Sequence, residues 1–328
     1  MTQPLNYTTK AIKDLMSSLD STGLGPGDRA GISFIIDLLR RAEVFVMPDS
    51  GTLLDRSKVR PQVAPECFHP PFPVVALEYR SFQNEWSPSS VYEATASSRR
   101  IALAWEWDGK MPSGFADTGG PAPGEGVVVA SICYFDHVKM WLPTGAAAMI
   151  PYDAAYIRAP MSEHGRQMLA SGRINNKQAE APRLEVRGLL PLMPEGIARG
   201  IAEHGASTMQ EMLVADLMDE FNAYSDLCVA LACTNVSTEK RSQGWRLNRA
   251  RIKASKTPLK DFHVLKIAGQ EVGADSAEGG TGQRSHLRRG HVRRLGPDRM
   301  TWVNACMVRG AREGFVDKHY KVVGGHNG

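Results

Sequence analysis

The chain contains few cysteines and lacks the patterns that cysteines make in disulfide frameworks and zinc sites. Its five cysteines among 328 residues form neither a CxxC pair nor a ligand-spaced cluster with histidines; they are Cys67, Cys133, Cys228, Cys233 and Cys306. A disulfide framework pairs an even number of cysteines, and structural zinc uses closely spaced ligands. We therefore expect reduced thiols and no metal site.

Two further absences argue against a membrane protein and a nucleotide-binding enzyme. No segment approaches the run of about 20 apolar residues that crosses a bilayer, and residues 1–7 lack the basic and apolar regions of a signal peptide. The sequence contains no GxxxxGKS or GxxxxGKT motif and no GxGxxG between a strand and a helix. It predicts a cytoplasmic protein with no membrane contact and no cofactor.

The charge is distributed unevenly along a chain of ordinary globular composition, which is 42% hydrophobic and 23% charged. Residues 239–328 carry 19 lysines and arginines against 8 acidic residues, whereas residues 1–238 carry 20 against 27. A basic third on an acidic body is typical of a surface that meets phosphate, another polyanion or an acidic partner. The alternative is that the acidic and basic parts pack against each other.

Hydrophobic periodicity predicts the main elements. Apolar residues at helical spacing predict two helices over 9–20 and 28–46, with Asp28 as the second N-cap, and a core helix over 207–232 that begins with a Thr208/Glu211 capping box. Short β-branched or aromatic runs predict strands at 74–79, 101–107, 127–135, 138–142, 262–267, 300–305 and 315–323. Segments 47–72, 109–126 and 269–285 are rich in Gly, Pro or Ser and are predicted to be connections.

These elements predict an α+β protein with an N-terminal helical hairpin, an antiparallel sheet, a long central core helix and C-terminal basic strands. The composition divides the chain into a helical hairpin and connection (1–60), a sheet region (61–150), a helical region (151–238) and a basic β region (239–328). One compact unit is favoured over two lobes.

A first basic stretch, residues 240–260, mixes lysines and arginines with an aromatic residue. Cations neutralise phosphates and release counterions, while a tryptophan can stack on a base. The stretch therefore predicts a nucleic-acid contact through Trp245, Arg249, Arg251 and Lys253. The alternative is a solvated basic loop that covers the end of the core helix.

A second basic stretch, residues 284–294, contains five arginines and two histidines. We expect it to contact phosphates through Arg288, Arg289, Arg293 and Arg294. If a bulge at Gly290 gathered His286 and His291, the two imidazoles could act as general base and general acid in metal-independent RNA cleavage. Residues 318–320, Lys-His-Tyr, could complete that site. Alternatively, the arginines fasten to carboxylates of the acidic body.

Two other groups of polar residues are not assigned chemistry. Glu66, Cys67 and His69 stand too close together, between prolines, to indicate a nucleophile and its base. Glu106 and Asp108 end a predicted strand and are expected to be solvated. Neither group is predicted to be catalytic.

The C-terminal third carries a recognisable pattern. It comprises Leu247-Asn248 with Arg251, Pro258-Leu259, His286-Leu-Arg-Arg-Gly-His291-Val-Arg293 and Trp302-Val303. This pattern resembles the C-terminal signature of an uncharacterised family of phage and prophage proteins. The resemblance implies an origin in a mobile element and a place in the host cytoplasm, and it favours nucleic-acid handling, host takeover or a virion role. It implies no activity and no cofactor.

Three functions follow from these observations. The first is a phage-encoded protein that binds nucleic acid or takes over a host process through its basic C-terminal surface. The second is a metal-independent ribonuclease that uses His286 and His291 with arginine clamps. The third is a non-enzymatic protein that binds an acidic host protein or belongs to the virion. The expected partner is thus nucleic acid or an acidic host protein.

Overall fold

The computed structural model describes residues 4–54, 64–81, 97–109, 126–158, 163–171 and 182–268, the single residues 161, 176 and 180, and short segments between 284 and 316. Those segments are residues 284–288, 291–296, 299–303, 306–308 and 312–316. Of residues 284–288, 306–308 and 312–316 the backbone alone is described.

Six α-helices lie in the described part of the chain. They are α1 (Tyr7–Ser18), α2 (Pro26–Arg41), α3 (Glu163–Ala170), α4 (Pro194–His204), α5 (Ala206–Leu231) and α6 (Trp245–Lys253). Two short 3-10 helices, Asp49–Gly51 and Pro65–Phe68, occupy the connection that follows the first strand. None of the described helices is long and apolar enough to cross a membrane.

Ten strands precede residue 268 and five follow it. The first ten are β1 (Glu43–Val46), β2 (Val74–Arg80), β3 (Ser97–Glu106), β4 (Gly126–Phe135), β5 (Met140–Pro151), β6 (Tyr156–Ile157), β7 (Arg183–Leu184), β8 (Arg187–Pro191), β9 (Val236–Arg241) and β10 (Phe262–Ile267). The last five are β11 (Arg284–Arg288), β12 (His291–Gly296), β13 (Arg299–Val303), β14 (Cys306–Val308) and β15 (Arg312–Val316).

Eight strands form one large sheet in the order β8-β5-β4-β3-β2-β1-β10-β9. Neighbours are antiparallel except that β1 runs parallel to both β2 and β10, with Val44 opposite Ala76 and Phe262. Smaller sheets contain β14-β11-β15, β12-β13 and β6-β7. The protein is therefore α+β with a mostly antiparallel main sheet, as the sequence predicts for its class, and β9 and β10 extend that sheet beyond β1.

Helices cover both faces of the large sheet. On one face, Val74 and Ala76 of β2 belong to the same apolar cluster as α1 and α2. On the other, Val75, Leu77 and Tyr79 pack with α5. Because successive residues of a strand point to opposite faces, a strand covered on both sides reads as a continuous apolar run. This explains the unbroken burial of β2 from Val74 to Tyr79.

A buried polar contact joins α5 to the sheet. Glu220 of α5 is 0% exposed, and its Oε1 lies 2.7 Å from Arg100 Nε on β3. The hydroxyl of Tyr79 on β2 donates to the same oxygen at 2.7 Å. Burial raises the pKa of Glu220, and the Arg100 guanidinium opposes that shift. The pair thus supplies the compensation that a buried carboxylate needs.

The predicted strands at 74–79, 101–107 and 127–135 are confirmed within a few residues. The last strand of that group is longer than predicted, since β5 runs to Pro151. The predicted end of the second helix is wrong, because α2 stops at Arg41 and Glu43–Val46 form β1. Val44 and Phe45 are buried between β2 and β10, so tertiary pairing overrides the helical pattern.

Two predicted helix caps are also wrong. Helix α5 begins after Gly205, whose φ is 82°, and no side chain caps it, so Thr208 and Glu211 do not form a capping box. Asp28 lies inside α2, after Gly25 and Pro26, and is not its N-cap. Of the predicted connections, residues 110–125 and 269–283 lie outside the described residues.

Asp28 instead caps a different helix. Its Oδ1 accepts hydrogen bonds from the backbone N–H groups of Glu195 and Gly196 at the start of α4, at 3.0 and 3.4 Å. In return, Glu195 accepts from the N–H groups of Gly27 and Asp28 at 2.8 and 2.7 Å. Two helix N-termini thus exchange carboxylates, each of which satisfies orphan donors of the other helix.

The two carboxyl groups titrate in opposite directions. Burial, and next the hydrogen bond with the Glu195 carboxyl, raise the pKa of Asp28. The hydrogen bond from Gly27 N–H is the main cause that lowers the pKa of Glu195. Asp28 therefore holds the proton that the pair shares. Because its folded-state pKa is raised, its contribution to stability is complete below its unfolded pKa and is lost as the pH rises through the folded pKa.

We predict that Asp28→Asn keeps or raises the stability of the protein at neutral pH. The amide oxygen retains the Oδ1 hydrogen bonds, and the amide N–H replaces the shared proton without titrating. Its advantage over the parent should shrink as the pH falls from about 7 to about 4. Asp28→Ala should cost about 1–2 kcal/mol across this range, because it removes the cap of α4. Urea unfolding at several pH values measures both effects, and parallel pH profiles for parent and Asp28→Asn would contradict the shared proton.

Candidate nucleic-acid interface

Helix α6 lies in the connection between the two outermost strands at one edge of the sheet. Strand β9 ends at Arg241, which pairs with Phe262 at the start of β10. The side chain of Asn248 ties α6 to the return segment, because its Nδ2 donates to Leu259 O at 2.9 Å and its Oδ1 accepts from Leu259 N at 2.8 Å. The first basic stretch is therefore a helix anchored to a strand connection, and the alternative of a loop is wrong for residues 245–253.

One predicted phosphate contact has a structural role instead. The Nε of Arg251 donates to Thr257 O at 2.9 Å, which holds the chain as it leaves α6. At the other side of the helix, the Asp261 carboxylate accepts from Gln243 N at 2.9 Å and from Ser242 Oγ at 3.2 Å. Both ends of α6 are thus held by side-chain hydrogen bonds to the backbone or to a neighbouring side chain.

Lys260 connects this region to the C-terminal end of α2. Its Nζ donates to the carbonyl oxygens of Leu39, Arg40 and Ala42 at 2.8, 2.9 and 2.6 Å. These carbonyls are free of partners inside the helix, and a cation is favoured at this end of the helix dipole. Burial lowers the pKa of Lys260, against the opposing effect of the Glu43 and Glu78 carboxylates.

The outward side of α6 carries the exposed groups. Trp245 is 65% exposed and Ile252 is 62% exposed, and together with Arg249 they stand at positions i, i+4 and i+7, which share one stripe of a helix. Arg246 and Lys253 flank this stripe at helical spacing. We call these five residues, Trp245, Arg246, Arg249, Ile252 and Lys253, the α6 face.

The arginines of the α6 face lie beside the indole ring. The Cζ atoms of Arg246 and Arg249 are 5.8 and 5.9 Å from the centre of the Trp245 ring, within cation–π range. Among the described residues, no carboxylate forms an ion pair with Arg246, Arg249 or Lys253. Their charge is therefore available to an anion from outside the protein.

A polar cleft of about 350 Å³ adjoins α6 on the side of Asn248. Four basic and two acidic side chains line it, from the end of α2, from β9 and from the segment before β10: Arg40, Arg41, Lys240, Lys260, Glu43 and Asp261. Lys240 forms a 3.1 Å ion pair with Glu43. Burial acts to raise the pKa of Glu43, but hydrogen bonds from Lys240 and His263 outweigh it and lower that pKa. The cleft keeps an excess of positive charge.

The two histidines of the second basic stretch belong to different sheets. His286 lies on β11, opposite Val308 of β14 and Val316 of β15. His291 lies on β12, opposite Val303 of β13. Arg289, Gly290 and residues 318–320 lie outside the described residues. Convergence of the histidines therefore stays a prediction, with no contact in the described structure to support it.

The arginines of β12 point to opposite faces of a two-stranded hairpin. Arg293 stands opposite Thr301 and Arg294 stands opposite Met300, and successive residues of a strand alternate between faces. Met300 is buried in a cluster with residues at the end of α5. The two arginines are exposed, but they do not form one continuous phosphate-binding row. Arg288 lies on β11, where the backbone alone is described.

The two basic regions lie at opposite ends of β9. Helix α6 follows Arg241 at one end, whereas β13 joins the chain just before Val236 through a hydrogen bond from Thr234 N to Met300 O at 3.0 Å. A six-residue strand spans about 17 Å. Of the predicted contacts, Trp245, Arg249 and Lys253 thus share the α6 face, and the arginines of β12 lie elsewhere.

The sequence missed two features that the fold creates. Arg40 and Arg41 line the cleft beside α6, although about 200 residues separate them along the chain from that helix. Separately, His69 Nδ1 lies 3.2 Å from Glu106 Oε1, and the His69 ring stacks on Tyr152 at 3.6 Å. Both side chains of the His69–Glu106 pair are about half exposed, so it adds little stability. No group of three or more His, Cys, Asp or Glu within the described ranges could hold a metal ion.

We predict that Lys260→Met destabilises the protein by about 1–3 kcal/mol, because it leaves three carbonyl groups at the end of α2 without their charged donor. Lys256→Met is the matched control. This lysine is exposed on the same connection, and the hydrogen bond given for it uses its backbone N–H. Chemical denaturation of both variants measures the difference, and equal stabilities would show that the Lys260 contacts contribute nothing.

Comparisons with known proteins do not extend this picture. No family model, curated protein or solved structure matches the chain. The resemblance of residues in the C-terminal third to phage and prophage proteins therefore stays a prediction. A function for this chain has to be argued from its own side chains.

Proposed function

We propose that the protein binds nucleic acid through the α6 face. The observation that carries this proposal is the exposed Trp245 ring with Arg246 and Arg249 beside it. Nucleic acid presents phosphates and aromatic bases side by side, so a surface that presents cations and an indole together matches both. Basic residues alone would match any polyanion.

The electrostatics of the α6 face support phosphate binding. Three cations, Arg246, Arg249 and Lys253, stand on a helix that buries none of its residues. No carboxylate in the described ranges pairs with them. Each phosphate that they neutralise releases counterions, which makes the affinity depend on salt. The neighbouring cleft adds further positive charge next to α6.

The anchoring of α6 also supports binding. Asn248, Arg251 and Asp261 fix the helix and its flanking segments. A binding surface that is already ordered loses less conformational entropy on association. Only the exposed side chains of the α6 face then have to be immobilised by the ligand.

The mobile-element origin, the role in host takeover and the location in the host cytoplasm remain proposals that the sequence resemblance favours. An acidic host protein is the competing partner, because carboxylates also bind arginine. A ribonuclease activity at His286 and His291 is not proposed here, since their strands lie in different sheets. The exposed indole favours nucleic acid over an acidic protein surface.

We predict that Arg246→Gln/Arg249→Gln weakens nucleic-acid binding and its salt dependence. Loss of two phosphate contacts should reduce the slope of log K against log salt by about 1.4 to 1.8. The control is Lys13→Gln/Arg158→Gln, which removes the same charge from exposed positions outside the α6 face. Fluorescence anisotropy with labelled oligonucleotides at several salt concentrations measures the slopes.

The control variant should keep the parental slope. Equal slopes for parent and Arg246→Gln/Arg249→Gln would overturn the proposal. The proposal would also fail if the purified protein bound no nucleic acid but retained a stoichiometric acidic protein from a host lysate. In that case the α6 face would be a protein-binding surface.

A further inference from the structure

The α6 face exposes two large apolar side chains in line with a cation. Trp245 and Ile252 are seven residues apart, which places them about 10 Å from each other along the helix, with Arg249 between them in sequence. They are 65% and 62% exposed. The cost of hydrating these side chains is relieved only by an apolar partner surface. A ligand of the α6 face therefore has to offer more than phosphate.

A duplex does not offer such a surface. Its bases are stacked inside, and its grooves present the hydrogen-bonding edges of the base pairs between rows of phosphates. The flat faces of the bases become available where the strand is unpaired, and aromatic side chains then stack on them. The chemistry of Trp245 and Ile252 thus distinguishes unpaired from paired nucleic acid.

We propose that the α6 face binds single-stranded nucleic acid in preference to duplex, with a base stacked on Trp245. This inference rests on the proposed nucleic-acid binding and specifies its substrate class. Arg246 and Arg249 lie within 6 Å of the indole ring, so they can reach the phosphates on either side of a base that stacks there. The basic cleft beside Asn248 continues this positive surface toward the end of α2.

Stacking on an aromatic face tolerates every base, because every base has such a face. The proposal therefore predicts little sequence preference. It also predicts that RNA and DNA single strands both bind. A strong preference for one of them would identify contacts to the sugar in addition to stacking.

The test measures binding of one labelled oligonucleotide of mixed sequence, alone and annealed to its complement, as DNA and as RNA, at a single salt concentration. The single strand should bind at least about tenfold more tightly than the duplex. Trp245→Ala should weaken single-strand binding about tenfold or more and leave duplex binding unchanged. Trp245→Phe should retain most of the affinity, since it keeps an aromatic face.

Leu247→Ala is the matched control. Leu247 is also an exposed apolar residue of α6, but it lies about 200° around the helix from Trp245 and outside the α6 face. It should bind single strands like the parent. The salt slope should be the same for Trp245→Ala and the parent, because stacking releases no counterions.

Two results would overturn the inference while leaving nucleic-acid binding intact. One is duplex binding as tight as single-strand binding. The other is an equal loss of both affinities in Trp245→Ala. Absence of binding to every oligonucleotide would overturn the proposed function as well. Tryptophan 245 is exposed, so each variant is expected to fold, and circular dichroism of the variants checks this.

Discussion

The buried ion pair between Arg100 and Glu220 attaches the longest helix to the sheet, and the location of every other surface depends on that attachment. Glu220 is completely buried, so loss of Arg100 would leave an uncompensated charge in the core at a cost of about 3–5 kcal/mol. With α5 fixed on one face and α1 and α2 on the other, strands β2 to β5 have no open face. A macromolecular partner must therefore bind at an edge or an end of the sheet. Helix α6 occupies such a place, next to the outermost strand β9.

Polar contacts at that edge give α6 a fixed inner side and a free outer side. Asn248 binds the backbone of Leu259, and Lys260 binds the carbonyl groups at the end of α2. These contacts replace the apolar packing that most helices use, and α6 buries no residue. Because apolar residues are not needed to hold the helix, Trp245 and Ile252 can remain exposed. Large apolar side chains exposed on an anchored helix indicate a binding surface more strongly than single apolar residues on a flexible loop.

The sequence predicted those parts of the fold that depend on local pattern. The apolar runs around Val75 and Val129 identified β2 and β4, since both faces of these strands are buried. It failed for β1, because four residues directly after a helix become a strand only through pairing with Ala76 and Phe262. It named Trp245, Arg249 and Lys253 from composition. It could not separate them from Arg251, whose role depends on a hydrogen bond to Thr257.

Charge counting overstates the positive surface of the C-terminal third. Lys240 pairs with Glu43 of the preceding part of the chain, and Lys266 pairs with Glu239 at 2.9 Å. The idea that acidic and basic parts pack together is thus correct for some of these residues. The cations of the α6 face differ, since no carboxylate of the described ranges neutralises them. Their attraction alone would not distinguish one polyanion from another. The indole beside them supplies that distinction, because it rewards only a polyanion whose aromatic faces are exposed.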